Sequence, residues 1–281
     1  MTDALFDVSG RTIVVTGGYG QIGRTLVAAL IRRGANVAAI EPAPSEAKTR
    51  ASFGDLGASP RLVVVKADVT DRASLIRARA DVEAKFGAPF GLVNNAALDS
   101  PPDSDASETG PFEDYPERSW DKVMDVNVKG VFLCCQVFGA AMAKAGRGSI
   151  VNVASIYGSV SPDQSLYEYR RKRGEVFFKP VAYSASKSAL YNLTRYVAVY
   201  WGAKGVRANT VTFAGVFNRQ DTEFLSRYGA KIPLRRSVAD DAKGGMAAPE
   251  DYVGSFLFLL SDASSYMTGA DLTVDGGFLA I

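Results

Sequence analysis

The chain has 281 residues, of which 47% are hydrophobic and 22% charged, enough for one large α/β domain with a single core. Its 32 basic and 30 acidic side chains leave a formal charge of +2, which does not indicate nucleic acid or an acidic membrane as a partner. We therefore expect small-molecule partners. The absence of histidine removes the usual zinc ligand and the usual general base at neutral pH, so we predict no metal site.

The apolar segments, the amino-terminal residues and the two adjacent cysteines bear on the compartment in which the protein resides. Residues 26–31 and 256–260 are too short to cross a bilayer, and residues 1–10 carry acids instead of a basic, apolar leader. These features predict a cytoplasmic protein. Cys134 and Cys135 are adjacent on a predicted helix, where neighbouring side chains diverge, so both are expected to be reduced thiols in the core.

Apolar, β-branched runs alternate with segments of helical periodicity along the chain. The runs predict buried strands at 12–15, 37–40, 62–65, 91–93, 150–153, 206–211 and 272–274. The periodic segments predict helices at 22–33, 73–86, 119–145, 181–202 and 249–260. Strict alternation predicts an α/β fold with one doubly wound parallel sheet flanked by helices, which binds ligands at the carboxyl ends of its strands. With no convincing linker, residues 1–281 are expected to form a single domain.

Two segments interrupt this alternation. Residues 99–115 are rich in proline, aspartate and serine, and residues 161–180 are polar, aromatic and basic. Both follow predicted strands. We therefore expect both to be insertions that lie over the binding site.

A glycine-rich turn joins the first predicted strand to the first predicted helix. Glycines let the backbone approach a pyrophosphate, and the helix amino terminus offers unpaired N–H groups. This context predicts a Rossmann-type dinucleotide site whose candidate contacts are Gly17, Tyr19, Gly20, Gln21, Ile22 and Gly23. Glu41, at the end of the second strand, would accept hydrogen bonds from the adenosine ribose and repel a 2′-phosphate, which favours NAD over NADP. Arg24 or Arg50 could still meet a phosphate, so NADP stays open.

Later segments resemble the short-chain dehydrogenase/reductase family across nearly the whole chain. The order of its motifs is kept: Asp68-Val69, Asn94-Asn95-Ala96-Ala97, Asn127, Ser155, the Tyr-x-x-x-Lys pair Tyr183 and Lys187, and Asp275-Gly276-Gly277. The resemblance implies that Asp68 and Val69 contact adenine and that Asn95, Ala96 and Ala97 lie beside the cofactor. It implies further cofactor contacts at Gly215 and Val216. It also implies a homotetramer, or else a dimer, in which residues 256–260 and 272–281 would offer apolar surface to another subunit. Segments 183–201, 232–234 and 261–269 also resemble oxidoreductases of flagellin-glycan and surface-polysaccharide pathways.

The sequence departs from the family at four points. Gln21 replaces the middle glycine of the family's commonest turn. The resulting glycine spacing is shared by the sugar-nucleotide branch of the family. The length of the chain and its carboxyl-terminal motif favour the ordinary branch instead. Ala97 replaces a glycine, and Ala214 stands where proline is common. The insertion 161–180 separates Ser155 from Tyr183, unlike in most relatives.

Tyr183 and Lys187 stand at positions i and i+4 of a predicted helix, so their side chains share one face. A neighbouring ammonium and the positive nicotinamide would favour the phenolate and bring the pKa of Tyr183 toward neutrality. Tyr183 could then act as a general acid or base. By resemblance, Lys187 also holds the nicotinamide ribose, Ser155 binds the substrate oxygen, and Asn127 supports a water-linked proton path.

These residues predict a nicotinamide-dependent oxidoreductase acting on a secondary alcohol or ketone, with a sugar, amino sugar or sugar phosphate as candidate substrate. Two alternatives stay open: an epimerase or dehydratase that retains NAD, and a dinucleotide-sensing regulator without turnover. The insertion 161–180 is interpreted as a substrate lid in which Arg170, Arg171 and Arg173 meet a phosphate, or else as an arm that packs against another subunit.

Overall fold

A computed structural model describes residues 4–99, 108–234 and 244–281, and a seven-stranded parallel sheet lies at its centre. The spatial order is β3-β2-β1-β4-β5-β6-β7, and every neighbouring pair is parallel. The strands are β1 (Thr12–Thr16), β2 (Asn36–Glu41), β3 (Leu62–Lys66), β4 (Gly91–Asn94), β5 (Gly148–Ser155), β6 (Val206–Phe213) and β7 (Asp271–Val274). All seven predicted strands are confirmed, each longer than predicted by one to four residues.

The helices cover both faces of this sheet. They are α1 (Gln21–Arg32), α2 (Glu46–Phe53), α3 (Arg72–Phe86), α4 (Glu117–Ala145), α5 (Ile156–Ser159), α6 (Glu168–Lys172), α7 (Val181–Trp201), α8 (Thr222–Gly229) and α9 (Val253–Leu260). Short 3₁₀ turns at Gln164–Tyr167 and Pro249–Tyr252 precede α6 and α9. The sequence missed α2, α5, α6 and α8, which are too short to show a helical period.

Two hydrophobic layers hold the sheet between the helices. Leu75, Phe138 and Trp201 belong to the layer on one side, whereas Leu26 and Phe256 belong to the layer on the other. Burial of apolar surface at about 25 cal/mol per Å² makes these layers the main stabilising contribution. Cys134 and Cys135 are free and buried in the first layer, as predicted, and burial raises the pKa of Cys135 to about 12.

Helix α4 has the length and apolar composition that could also cross a membrane. In the structure 61% of its most apolar window is buried, so its composition is that of a core helix. Two π-helical stretches, Asp125–Lys129 and Cys135–Gly139, interrupt it. Such stretches are frequent at functional sites.

Helix α9 corrects one expectation about assembly. Residues 256–260 were expected to offer apolar surface to another subunit, but Phe256, Leu259 and Leu260 are fully buried within their own chain. They pack against β5 and β6 because α9 is one of the helices that cover the sheet. One group of exposed hydrophobic side chains lies instead on α7, at Tyr196, Val199 and Tyr200.

Candidate active site

The sheet reverses its direction of winding between β1 and β4, and ligands of such folds bind in the crevice at this point. Strands β1, β4 and β5 end there, each followed by a segment that carries candidate site residues. A cavity of about 430 Å³ opens beside these strand ends. Its wall includes Gln21 from the glycine turn together with Ser155, Tyr183 and Lys187. The fold thus brings the predicted cofactor turn and the predicted catalytic residues to one site.

The glycine turn is closely packed against its neighbours. Gly17 has a φ of +66°, and a Cβ at Gly23 would overlap the carbonyl oxygen of Gly17. A Cβ at Gly18 would come within 2.7 Å of the Ala39 side chain. Only glycines therefore let the turn approach β2 and start α1 where it does.

Helix α1 begins without a side-chain cap. Its N-cap is Gly20, which has no side chain to accept from the first N–H groups of the helix. An exposed helix start of this kind suits an anionic pyrophosphate, because the N–H groups and the helix dipole both favour negative charge. Tyr19, Gly20, Gln21 and Ile22 all lie at this start, and the Gln21 amide donates to the carbonyl oxygen of Phe217 at 2.6 Å. The turn fits a dinucleotide.

Glu41 lies at the end of β2 and is nearly buried. Its Oε1 accepts the backbone N–H of Tyr19 at 2.6 Å, which fixes the carboxylate beside the glycine turn. Burial raises the pKa of Glu41, whereas the Tyr19 N–H and the charge of Lys48 act to lower it. This is the position expected of an acid that faces the adenosine ribose.

Asn95 ties the end of β4 to the glycine turn. Its amide donates to the carbonyl oxygens of Thr16 and Gly17, both at 3.1 Å, while the backbone N–H groups of Asn95 and Ala96 donate to the Thr16 hydroxyl. Ala97 follows and lines the cavity. These contacts hold the floor of the crevice.

Asp68 and Val69, the residues expected to contact adenine, follow β3. The Asp68 carboxylate accepts from the N–H and hydroxyl of Thr70, both at 2.8 Å, and the residue is exposed. Val69 packs so close to α4 that a Cβ at Gly130 would come within 2.9 Å of it. Asp68 and Val69 therefore lie at a fixed turn after the strand.

Gly215 and Val216 follow β6 and line the opposite wall of the cavity. The N–H of Gly215 donates to the Tyr228 hydroxyl at 2.6 Å, so α8 is tied to this wall. Val216 forms an isolated parallel bridge with Ala247.

Ser155 ends β5 and begins α5, where its hydroxyl accepts the N–H of Tyr157 at 3.2 Å. Tyr183 lies on the facing helix α7, and its hydrogen bond with the Ser155 hydroxyl acts to lower the pKa of Tyr183. Burial has a larger effect in the opposite direction, and the negative charge of Asp99 adds to it, so the protein's own groups raise this pKa. The expected lowering toward neutrality is therefore not supplied by the chain itself.

Lys187 lies one turn after Tyr183 on α7 and is also buried. Its ammonium donates to the carbonyl oxygen of Val153 at 2.7 Å and lies 5.6 Å from the centre of the Tyr183 ring. Burial lowers the pKa of Lys187 to about 8, and the charge of Asp99 opposes this change. Lysine and tyrosine are thus close enough to interact, as the spacing predicted.

Asn127 lies in the first π-helical stretch of α4. Its side chain accepts the Leu98 N–H at 2.7 Å and donates to the Leu98 carbonyl oxygen at 2.9 Å and to Ser186 Oγ at 3.0 Å. These contacts join the segment after β4 to α7. Asn127 therefore holds Leu98 near the helix that carries Tyr183 and Lys187, but it does not itself line the cavity.

The three arginines of the insertion have different surroundings. Arg170 lines the cavity, but it also pairs with Glu175 at 2.7 Å and lies over the Phe177 ring. Neither Arg171 nor Arg173 lines the cavity. Arg171 donates to the carbonyl oxygens of Phe177 and Gln164, and Arg173 pairs with Glu223. These guanidinium groups therefore brace the insertion.

The aromatic side chains of the insertion pack within their own chain. Tyr167 lies 4.8 Å from Phe177 and 5.5 Å from Phe224 of α8, measured between ring centres. Tyr167, Tyr169 and Phe177 also line the cavity. The insertion thus forms one wall of the site. Residues 100–107 of the other insertion lie outside the described residues. The two insertions meet at Thr109, whose main-chain carbonyl oxygen accepts the Phe178 N–H at 2.7 Å.

Sequence reasoning missed several side chains of the cavity wall. They are Asp99, Tyr157, Lys179, Asp221 and Tyr228. Position gave a signal for two of them, because Asp99 follows the motif after β4 and Lys179 directly precedes α7. The others reach the site only through packing of α5 and α8.

Comparison with known proteins identifies the family. A family model described as enoyl-(acyl carrier protein) reductase matches residues 17–279. D-threitol dehydrogenase of Mycolicibacterium smegmatis is 32% identical over 97% of this chain and 94% of its own length. Galactitol 2-dehydrogenase of Rhizobium johnstonii is 34% identical over 97% and 96%. This chain belongs to the short-chain dehydrogenase/reductase family.

Solved structures agree with this assignment. A short-chain dehydrogenase of Leptospira borgpetersenii with bound NAD⁺ has a TM-score of 0.82 and 29% identity, with 99% of this chain and 96% of that one covered. A gluconate 5-dehydrogenase of Burkholderia cenocepacia, in complex with NADP and tartrate, has a TM-score of 0.81 and 25% identity, with coverages of 99% and 98%. The protein is an NAD(P)-dependent oxidoreductase that transfers hydride between nicotinamide and a secondary alcohol or ketone.

Proposed function

We propose that the protein is an NAD-dependent dehydrogenase of uncharged polyols, which are small molecules carrying several hydroxyl groups. The observation that carries this proposal is the charge of the cavity wall. Each of its described cations already has a partner in the chain: Lys179 pairs with Asp99, Arg170 pairs with Glu175, and Lys187 donates to the Val153 carbonyl oxygen. The remaining charged group, the Asp221 carboxylate, accepts from the Tyr169 hydroxyl. A phosphate needs cations that are not already satisfied. The expected sugar phosphate is therefore the less favoured substrate.

The remaining wall suits a polyol. The hydroxyls of Tyr157, Tyr167 and Tyr228 and the amide of Asn218 offer neutral hydrogen-bonding groups beside aromatic rings. Placed hydroxyls and amides discriminate strongly in favour of a substrate that can pair with them. The names of the threitol and galactitol dehydrogenases among the relatives support the same class. The likeness to flagellin-glycan and surface-polysaccharide oxidoreductases, and a role in carbohydrate biosynthesis, stay predictions.

In this proposal the chain's residues move the proton, and nicotinamide, when bound, would supply the hydride acceptor. Tyr183 takes the proton of the alcohol, Ser155 holds the same oxygen, and Lys187 favours the phenolate. Asn127 fixes the loop after β4 against α7. The reverse sequence reduces a ketone.

We also propose that NAD is preferred over NADP. The nearly buried carboxylate of Glu41, held by the Tyr19 N–H, supports this preference because a 2′-phosphate placed beside it would be repelled. The contacts expected at the turn, at Asp68 and Val69, at Asn95 to Ala97, and at Gly215 and Val216 would hold the cofactor.

Initial rates with a matched substrate pair would test the proposal. Galactitol and threitol should be oxidised with NAD⁺, and galactitol should exceed galactitol 1-phosphate in kcat/KM by about tenfold or more, a difference of about 1.4 kcal/mol. Net formation of free NADH also separates a dehydrogenase from an epimerase that retains its cofactor. A preference for galactitol 1-phosphate would contradict the proposed uncharged substrate. A preference for NADP⁺ would contradict the proposed use of NAD.

The assembly and organisation of the chain complete the proposal. We propose one domain spanning residues 1–281 with insertions near 99–115 and 161–180, in a cytoplasmic homotetramer. Exposed Tyr196, Val199 and Tyr200 give α7 an apolar face that supports pairing of this helix between subunits. Light scattering in dilute buffer tests this, and a strictly monomeric mass would count against it.

A further inference from the structure

Lys179 is the last side chain of the insertion before Pro180 and α7, and it is buried although it carries a charge. The Gln164 amide holds its backbone from both sides: Oε1 accepts the Lys179 N–H at 2.9 Å, and Nε2 donates to its carbonyl oxygen at 3.0 Å. The ammonium forms an ion pair with Asp99. A lysine is rarely buried without a partner, and this one is fixed at both its backbone and its charge.

The fixed ammonium lies beside the catalytic tyrosine. Its Nζ is 5.2 Å from the centre of the Tyr183 ring, whereas Lys187 Nζ is 5.6 Å from the same point. A cation at this distance from an aromatic ring is attracted to the ring and favours the negatively charged phenolate. Two lysines from different segments therefore flank one phenol. The Tyr-x-x-x-Lys motif accounts for Lys187 alone.

Asp99 makes the second lysine necessary. Its negative charge acts on Tyr183 against the phenolate, and it also acts on Lys187 in favour of the ammonium. A carboxylate at this place would oppose proton transfer to Tyr183 unless a cation offset its charge. Lys179 supplies such a cation, because its ammonium forms an ion pair with Asp99.

We propose that Lys179 is a positioning residue for the reaction, whose ammonium offsets the charge of Asp99 at Tyr183 and so favours the phenolate that accepts the alcohol proton. The inference rests on the proposed role of Tyr183. It also gives the insertion 161–180 a part in the chemistry, because the insertion carries Lys179 to the ring and Gln164 holds it there.

Groups from several elements face Tyr183 and must be considered in any titration. Burial raises the pKa of Tyr157 and of Tyr228 above their usual range, so both stay neutral near neutral pH. The titratable and polar groups that act on the phenol are Lys187 on α7, Ser155 on β5, Tyr157 on α5, Tyr228 on α8, Asp99 after β4, and Lys179. Near neutral pH the charged groups among these are the two lysines and Asp99, and Lys187 loses its charge as the pH rises past about 8.

Ultraviolet titration of tyrosinate near the long-wavelength edge of tyrosine absorption tests the inference without a known substrate. Each variant is measured as the NAD⁺-bound protein, and the spectrum of the same variant carrying Tyr183→Phe is subtracted to isolate Tyr183. Lys179→Met should raise the midpoint by about one pH unit or more, whereas Asp99→Asn should lower it. The double variant Asp99→Asn/Lys179→Met should return to within about half a unit of the parent. Lys179→Arg should keep the parent midpoint.

Lys172→Met is the matched control, because Lys172 belongs to the same insertion but is exposed and pairs with Glu168 at 3.3 Å. It should leave the midpoint unchanged. Equal midpoints in Lys179→Met and the control, or a rise in Asp99→Asn, would overturn the inference. Should Lys179→Met fail to fold because the ion pair with Asp99 is lost, Asp99→Asn and the double variant still decide. Loss of activity in Tyr183→Phe is measured separately, so retained activity there refutes the role of Tyr183 instead.

Discussion

Replacing Gly23 with alanine should weaken dinucleotide binding through one atom. A Cβ there would overlap the carbonyl oxygen of Gly17 and come within 3.0 Å of both Gly17 C and Gly18 Cα, all of them backbone atoms that cannot rotate away. Strain from one added methyl group in a closely packed place costs about 1–3 kcal/mol. Since the turn must shift to relieve this strain, we expect the loss to appear as weaker NADH binding by about 5- to 150-fold, with any remainder as a lower melting temperature.

Fluorescence titration with NADH measures the dissociation constant, and thermal unfolding measures stability. Gly254→Ala is the matched control: Gly254 lies on α9, and a Cβ there would meet nothing within 4 Å. That variant should bind NADH normally, and its free energy of unfolding should rise by up to about 1 kcal/mol because alanine has a better helix propensity than glycine. If Gly23→Ala kept NADH affinity within twofold and melted with the parent, the close packing of the turn would not be what requires glycine.

Three further predictions concern the catalytic groups and the cofactor. Tyr183→Phe should lower kcat by about 100-fold or more with NADH affinity nearly unchanged, because it removes one proton-transfer group, and Tyr196→Phe on the exposed face of α7 is its control. Burial lowers the pKa of Lys187 to about 8, so the unfolded chain binds the proton of this lysine more tightly than the folded protein does. The free energy of unfolding should therefore rise between pH 8 and pH 9.5. Urea titrations should show a smaller rise in Lys187→Met. Glu41→Gln should raise kcat/KM for NADP⁺ relative to NAD⁺ by about tenfold, since the charge opposing the 2′-phosphate is gone, and an unchanged ratio would remove Glu41 from cofactor selection.

Local patterns were sufficient for the sheet and for the glycine turn. Strands such as β1, with the sequence TIVVT, are buried over their whole length. A continuous apolar, β-branched run of this length is typical of a parallel strand that is covered on both faces. Helix α7 was predicted to within one residue because its core-facing side chains repeat at the helical period. The surface of α9 was misjudged, since a run of apolar residues does not show whether a sheet or another subunit covers it.

The insertion shows where sequence reasoning stopped. Its run of cations indicated an anion site. In the structure, however, Arg171 donates to the main-chain carbonyl oxygens of Gln164 and Phe177, and Arg173 pairs with Glu223, which is 50 positions away in sequence. No local pattern encodes such partners. The placement of Lys179 against Tyr183 has the same origin, because the ion pair with Asp99 joins residues 80 positions apart.

By itself, the sequence determined the family, the order of strands and helices, and the chemical groups available for proton transfer, because these depend on residue type, spacing and hydrophobic period. Tertiary structure alone decided which charges remain for a substrate. The closing of β4, β5, α7 and α8 around one cavity brings together side chains such as Asp99, Lys179 and Tyr228. Their pairing sets the local electrostatics, since an interaction between charges depends on distance and burial in space, and neither can be read from position along the chain.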